Sequence, residues 1–472
     1  MKGNNRFFPI IMWLEAHPAY MNYDLHTAEE FYELSFKGIA SLKCNTVRPS
    51  NLPLDYAHLL LRSAARYNLK VILDPQFGHA IIKKEITEIK NQWESLKADI
   101  KRNVIDQFAG YENLLGYAVA DEPKPDKLEH WKLVVKMFNE LDPRHPDFTV
   151  FNLPDILKAA VDYEDVILRN IVYDNYPHEI FTPINTMGPP FKPEPDLELE
   201  WFNRYKGFYE ASNLRPSVPQ ISTVAVFNNN KPWRFPTPTE FRTTVYTSLA
   251  VGAKGIMFFA YMDVPGEENL KCLVDRNWHP HSYPTTGPFT YPYAYPPLYE
   301  TVKTVTEELD RLGPYVSELE RVGDVTGWEM SNDVLGGKYK SQHAEYFIIA
   351  HKDPDPTHAR IDWNVPLANE YSLRDIISGE TFRPDGSGNV TVPLGPAQGR
   401  VLIKRFSQDA PLFGSFDLPS DNARNIAGAI SLTGWALGIS PVKRIEIKRL
   451  PVAGDPPEGI DRDGLIYVGD AS

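Results

Sequence analysis

Over roughly the first 320 residues, continuous apolar runs alternate with segments of helical period. "RFFPIIMWLEA" (6–16) is apolar almost throughout, as a strand covered on both faces must be. "TAEEFYELSFKGIASLK" (27–43) follows at helical spacing, with Phe31, Leu34 and Ile39 expected on its buried side. Strand-like runs recur at "CNTVRPS" (44–50), "KVILDP" (70–75), "LLGYAVADEP" (114–123), "DFTVFNL" (147–153), "VILRNIVYDNYP" (166–177), "VPQISTVAVF" (218–227) and "GIMFFAYMD" (255–263). Helical stretches lie near 56–67, 88–109, 128–141, 198–212 and 298–318. In 128–141, Leu128, Trp131, Val134 or Val135, Phe138 and Leu141 share one stripe. "TPTE" (237–240) is a capping box with Pro at the first helical position, and its helix should close at Gly252.

Eight such units in one stretch predict an α/β fold, a (β/α)8 TIM barrel over residues 1–319. A doubly wound sheet would want a Gly-rich phosphate loop after its first strand, and "EAHPAYMNY" is not one. Beyond residue 320 the texture changes. "EYFIIAHKD", "ARIDW", "NVTVPLG" and "GRVLIKRF" are short strands between Gly, Pro and Asp turns, so a small antiparallel β-sandwich domain is expected over 320–406. A further all-β segment, 407–472, includes "FGSFDLPSDN" and "VKRIEIKRL", where Val442, Ile445, Ile447 and Leu450 mark the apolar positions of a half-buried strand. It holds fewer strands than the seven or so of an immunoglobulin-like sandwich, so a partial module, truncated inside its fold, is the expectation.

Composition narrows the partners. A formal charge of −13 argues against nucleic acid and anionic membrane surfaces, and no apolar run approaches the roughly 20 residues that span a bilayer. Aromatics make up 12% of the chain, which suits sugars as well as a large core. Cys44 and Cys272 form no CxxC pattern, so neither a zinc site nor a disulfide framework is expected. "MKGNNRFFPI" carries no secretory leader, which leaves a cytoplasmic protein as the alternative, while the β modules favour a secreted or cell-surface parent protein.

Active sites of such barrels lie at the C-terminal ends of the strands. Those ends present Glu15 and His17, Arg48, Asp74 and Gln76, Asp121 and Glu122, Asn152, Asp174 to Tyr176, Gln220 with Asn228, and Tyr261 with Asp263. Carboxylates dominate, and there is no nucleophile elbow. His17, His79 and His279 lack HxH or HExxH spacing, so no metal and no cofactor is expected. Paired carboxylates at a barrel mouth suit glycoside hydrolysis, one protonating the leaving oxygen and the other attacking carbon or activating water. Trp13, Trp233, Tyr261 and Trp278 are candidates to stack on sugar rings; Trp13, on a strand, fits the core equally well. Asp121, Arg48, Asp74, Tyr176 and Gln220 are candidate substrate-binding residues. Asp74-Pro75 and Asp263-Val-Pro-Gly also read as plain turns.

"GYAVADEP" (116–123) resembles the strand-4 motif of (β/α)8 glycoside hydrolases related to clan A, with Asp121 in place of the usual Asn before Glu-Pro. "IVYDNYP" and "PTPTEFRTTVYTSLAVGAKGIMFFAYM" resemble segments of uncharacterised glycosidase-type barrels, and "ISLTGWALGISPVKRIEI" resembles immunoglobulin-like modules of large bacterial secreted proteins. The resemblance implies a carbohydrate substrate and Glu122 as general acid/base. It also implies a nucleophilic Glu ending strand 7, where this chain reads "VPQISTVAVFNNN" with no carboxylate. Glycosidase barrels of the α-galactosidase type, which this pattern also resembles, use carboxylates of strands 4 and 6. They point to Asp174 as the partner, with the two roles open to inversion. Asp263 and Glu15 stand in reserve. A catalytically silent carbohydrate-binding barrel, and a transferase or lyase on the same scaffold, remain as alternatives.

Overall fold

The computed structural model describes residues 7–15, 27–50, 52–176, 195–229, 234–264, 267, 270–283, 294–329, 332–342, 344–353 and 360–406, and short segments beyond: 413–418, 433–437, 446–449, 456 and 466–470. Two compact units emerge: Met1–Trp363 with Asp375–Gly379 and Pro393–Leu402, and Asn364–Arg374 with Glu380–Val392 and Ile403–Ser472.

In the first unit a closed parallel barrel runs β1 (Ile10–Glu15), β2 (Thr46–Ser50), β3 (Lys70–Leu73), β4 (Leu114–Asp121), β5 (Asp147–Phe151), β6 (Ile171–Asp174), β7 (Gln220–Ala225) and β8 (Ala253–Phe259). All eight predicted strands are present, because strands buried on both faces must be apolar at successive positions. One side-chain set fills the barrel: Ile11, Trp13, Ile72, Ala118, Phe148, Val150, Val172, Ile221, Ala225 and Met257 are among its members. The alternate set meets the helices. On β6, Tyr173 stacks on Phe208 of the helix Pro195–Asn213, ring centroids 4.7 Å apart. On β5, Thr149 accepts a 2.9 Å hydrogen bond from Trp131 Nε1 of the helix Leu128–Leu141.

The helices follow their local signals. Thr237 and Glu240 close both bonds of the capping box that starts Pro238–Ala250, and Gly252 (φ +108) ends it in a conformation that side-chain-bearing residues avoid. The stripe of Ala28–Ser41 differs from expectation: Phe31, Tyr32, Ser35, Phe36 and Ile39 are buried, and Leu34 is 39% exposed. At about 100° per residue Leu34 lies roughly 130° from the centre of that face. The helix Pro154–Val161, not expected from the sequence, joins β5 to β6.

After the barrel helix Leu298–Val316, the same unit carries an antiparallel array of β9 (Glu320–Arg321), β10 (Val334–Lys340) and β11 (Glu345–His351). The second unit is also antiparallel β: Leu373 and Arg374 pair with Phe382 and Thr381, Phe413–Leu418 with Thr433–Leu437, and Glu446–Arg449 with Ile466–Asp470. In the last pair Ile447 is half-buried; Val442, Ile445 and Leu450 lie outside the described residues. None of the described helices is long and apolar enough to cross a membrane.

Candidate active site

Parity decides which strand-end residues reach the mouth. On β1, β3 and β6, Glu15, Asp74 and Asp174 stand two positions beyond Trp13, Ile72 and Val172, which face the interior. On β2, Arg48 pairs with Trp13 and shares its face. On β4 the register slips between Ala118 and Ala120, so Asp121 pairs with the interior residue Val150. The slip turns Asp121 inward and leaves Glu122 to a left-handed turn at φ +43. A β-bulge at a strand end re-aims side chains in this way. Left-handed backbone is uncommon outside glycine and costs of order 1 kcal/mol, so it persists only where neighbours hold it. Here Glu122 N–H donates to Val150 O (2.9 Å), and Asn152 Nδ2 donates to Glu122 Oε2 (2.9 Å).

The ends of β4 and β6 bring Glu122 and Asp174 to the same mouth, near enough for the Glu122 charge to act on Asp174. Asp174 is 3% exposed, whereas Glu122 is exposed. Burial first, then the neighbouring Glu122 and Asp121 carboxylates, hold the Asp174 carboxyl well above the usual carboxylate range; Arg204 opposes them. Asp174 therefore keeps its proton to higher pH than an ordinary carboxyl. Arg204, from the helix Pro195–Asn213, was missed by sequence reasoning; its Nη2 donates to Asn152 O at 2.6 Å.

Arg48 lies 3.2 Å over the Trp13 ring and 3.8 Å from Asp121 Oδ1. Trp13 donates to Ser50 Oγ at 2.6 Å, which fixes the indole as a wall beneath the guanidinium. Tyr176 is half-buried and packs against Phe227 (5.3 Å) and Phe259 (6.3 Å). Burial and the charges of Asp174, Asp121 and Glu122 push its phenol upward, so it stands among the carboxylates. Asp74 is buried at the end of β3; Gln76 N–H donates to its Oδ1 (3.0 Å), and His79 Nε2 lies 3.5 Å from Oδ2. The turn that the sequence allowed there coexists with an inward-facing carboxylate.

Other candidates stand elsewhere. Gln220 is the first residue of β7, at the end of the barrel opposite the mouth. Tyr261 is 1% exposed beneath the helix Ala28–Ser41, where a Cβ on Gly38 would meet its hydroxyl at 1.9 Å. Trp278 Nε1 donates to Ser35 Oγ on that helix (3.1 Å). Asp263 accepts from Cys272 N–H (2.7 Å) and lies 2.9 Å from His281 Nε2 and 3.3 Å from Lys271 Nζ. Burial pushes its carboxyl up, but these partners outweigh it and hold the pKa below the usual range. Asp263 thus ties down the loop after β8. His17 and Trp233 lie outside the described residues. Strand β7 leads into Val226, Phe227 and Asn228, with no carboxylate. Among the described residues, no group of three or more His, Cys, Asp or Glu side chains is placed to hold a metal ion.

No family model and no curated protein matches the sequence. Solved structures do match the fold. A β-galactosidase from Bacillus circulans sp. alkalophilus aligns with TM-score 0.56 at 8% identity, over 85% of this chain and 100% of that one. An α-amylase from Anoxybacillus aligns with TM-score 0.53 at 11% identity, covering 86% and 99%. A glycoside hydrolase family 5 protein from Bacteroides vulgatus ATCC 8482 gives 0.53 and 11%, covering 84% and 89%. At these identities the likeness is one of architecture: this chain shares the (β/α)8 fold of these structures.

Proposed function

We propose that this chain is a glycoside hydrolase acting on O-glycosidic bonds, with Asp174 as general acid and Glu122 as its partner carboxylate. The observation that supports it is a pair of carboxylates that β4 and β6 bring to the barrel mouth, Glu122 exposed and Asp174 buried. A carboxylic acid whose hold on its proton is strengthened by burial can give that proton to a leaving sugar oxygen. Glu122, exposed and steered by Asn152, then attacks the anomeric carbon or takes a proton from the attacking water. This inverts the roles that the strand-4 resemblance implies, because burial lies on the strand-6 member. The separation of the two carboxyls in the substrate complex tells the routes apart, about 5–5.5 Å for a nucleophile and 6.5–9.5 Å for a base.

A panel of aryl glycosides and oligosaccharides tests the proposal with wild type, Asp174→Asn and Glu122→Gln. Each variant should lose about 10²–10⁴-fold in kcat. The anomer released, followed by NMR, distinguishes nucleophile from base. Aryl glycosides with good leaving groups should rescue Asp174→Asn in part, since they need no acid. Full activity in either variant would end the assignment. The absence of a strand-7 carboxylate favours one second reading, a barrel that binds saccharide without cleaving it. Binding without turnover by wild type across the panel would establish that instead.

A further inference from the structure

Strand β7 brings no carboxylate to the mouth, yet it faces the buried acid at one point. Thr223 is the register partner of Asp174 on β6. Both side chains point into the barrel, since Val172 and Ile221, two positions earlier on each strand, line its interior. Paired residues on neighbouring strands lie about 4.8 Å apart. That is within reach of a direct hydrogen bond after a turn about χ1 of Thr223, or of a bond through one water. Resting on the hydrolase reading above, we propose that Thr223 is a positioning residue for the general acid: its hydroxyl donates to Asp174 Oδ1, directly or through that water, and so confines the transferable proton to Oδ2.

Two unpaired atoms mark the contact. Asp174 Oδ1 and Thr223 Oγ1 are buried without a hydrogen-bond partner, at residue exposures of 3% and 0%. A buried polar atom left unpaired is costly, and native proteins seldom keep one. Inside the barrel Thr223 lies between Ile221 and Ala225 along β7, and its register partner on β8 is Met257. Of these neighbours and Asp174, Asp174 alone is polar. Ser222, on the outer face of the same strand, is a contrast, because its Oγ accepts a 2.9 Å bond from Ser248 Oγ. At the end of β5 the Asn152 amide is already committed to Glu122, and the Asn152 carbonyl to Arg204.

The contact bears on the chemistry in two ways. A free carboxyl can carry its proton on either oxygen, and only the oxygen turned to the leaving group is productive. A hydroxyl that donates to Oδ1 makes that oxygen the acceptor and leaves the proton on the other. The same bond is stronger to the carboxylate left after transfer than to the acid before it, as charge-assisted bonds are. Thr223 therefore eases ionisation, in the direction of Arg204 and against burial and the Glu122 and Asp121 charges. The groups around the acid are Glu122 and Asp121 from β4, Arg204 from the helix Pro195–Asn213, Arg48 of β2 beyond Asp121, and Tyr176 further along β6, whose phenol is held neutral.

The aspartate carboxyls, labelled with carbon-13 and titrated by NMR, report on Asp174 without any substrate; its resonance is the one lost in Asp174→Asn. Thr223→Val removes the hydroxyl at nearly constant volume, and Thr223→Ser keeps it. In Thr223→Val the Asp174 pKa should rise by about half a unit or more, and the alkaline limb of kcat against pH should move up with it. The plateau of kcat should fall roughly five- to tenfold with KM little changed, because Thr223 is buried away from substrate. Thr223→Ser should restore both. Thermal melts give a second reading: Thr223→Val should lower the Tm, whereas loss of a truly unpaired hydroxyl would raise it. An unmoved or lowered pKa in Thr223→Val, or Ser and Val variants that behave alike, would overturn the proposal, and cleavage of glycosides by wild type would still leave the hydrolase standing. A pKa raised by Val and restored by Ser, with no glycoside cleaved by wild type, would uphold the Thr223–Asp174 contact and remove the hydrolase.

Discussion

A second buried aspartate, at the opposite end of the barrel, should make the fold measurably weaker at neutral pH. Asp147 opens β5, is 3% exposed, and has an Oδ1 without a partner. Burial pushes its carboxyl up to about 7 from 3.8; its own backbone N–H, Arg169 and Asn139 offset only part of that. The folded protein thus keeps a proton that the unfolded chain releases between these values. Stability falls as pH rises through that window and is flat above it. A shift of about 3 units at 1.36 kcal/mol each sets a ceiling of about 4 kcal/mol. Asp147→Asn keeps the shape and removes the titration. Urea unfolding of both proteins from pH 4 to pH 8 should give matching midpoints at pH 4 and a growing advantage for the variant toward pH 7. Taking the difference cancels the other carboxylates. A difference that does not change with pH would refute the reasoning, because burial of a titrating acid could not then be its source.

Two further sites test how the fold supports the mouth. Gly78 lies under β4, where an added Cβ would meet Val119 O at 2.0 Å. Gly78→Ala should cost about 1–3 kcal/mol and, by shifting the strand that carries Asp121 and Glu122, lower kcat/KM at temperatures well below melting; unchanged activity would detach the helix Phe77–Ile82 from the site. Thr237→Ala removes the acceptor of Glu240 N–H (3.3 Å) and should cost about 1 kcal/mol. Glu240→Ala also strips Arg234 of its paired carboxylate at 2.6 and 2.7 Å and should cost about 3–5 kcal/mol. Thermal melts that reverse this order would show that the cap, and not the ion pair, holds the helix start.

The barrel was legible because each strand is buried on both faces and so prints an apolar run. The helix Pro154–Val161 escaped because two turns are too short to establish a period. At the mouth, Asp174 and Glu122 could be read from strand ends alone, since polar groups closing an apolar strand have few places to go. Arg204 could not: it sits mid-helix and reaches back over β5, a contact that no spacing encodes. Gln220 was misplaced because β7 begins there, and an apolar run does not reveal which end of its strand a polar neighbour occupies. Tyr261 and Trp278 were candidates by aromatic character, yet each is fixed to one outer helix through Gly38 and Ser35. The bulge in β4 left no trace in the pattern, although it turns Asp121 inward.

That bulge explains why adjacent acids at the end of one strand need not do the same thing. An unbroken strand would send Asp121 and Glu122 to opposite faces, one into the helix layer at a heavy desolvation cost. With the register slipped, Asp121 takes the interior position opposite Val150 and meets Arg48, and Glu122 is carried over the rim by its left-handed turn. Asn152 then joins both halves of the dyad. Its amide holds the Glu122 carboxylate, and its carbonyl holds Arg204, whose charge acts on Asp174. The end of β5 contributes no acid of its own, yet it sets the position of one carboxylate and moderates the protonation of the other. The setting of the two acids therefore depends on a neutral residue between the strands as much as on the acids themselves.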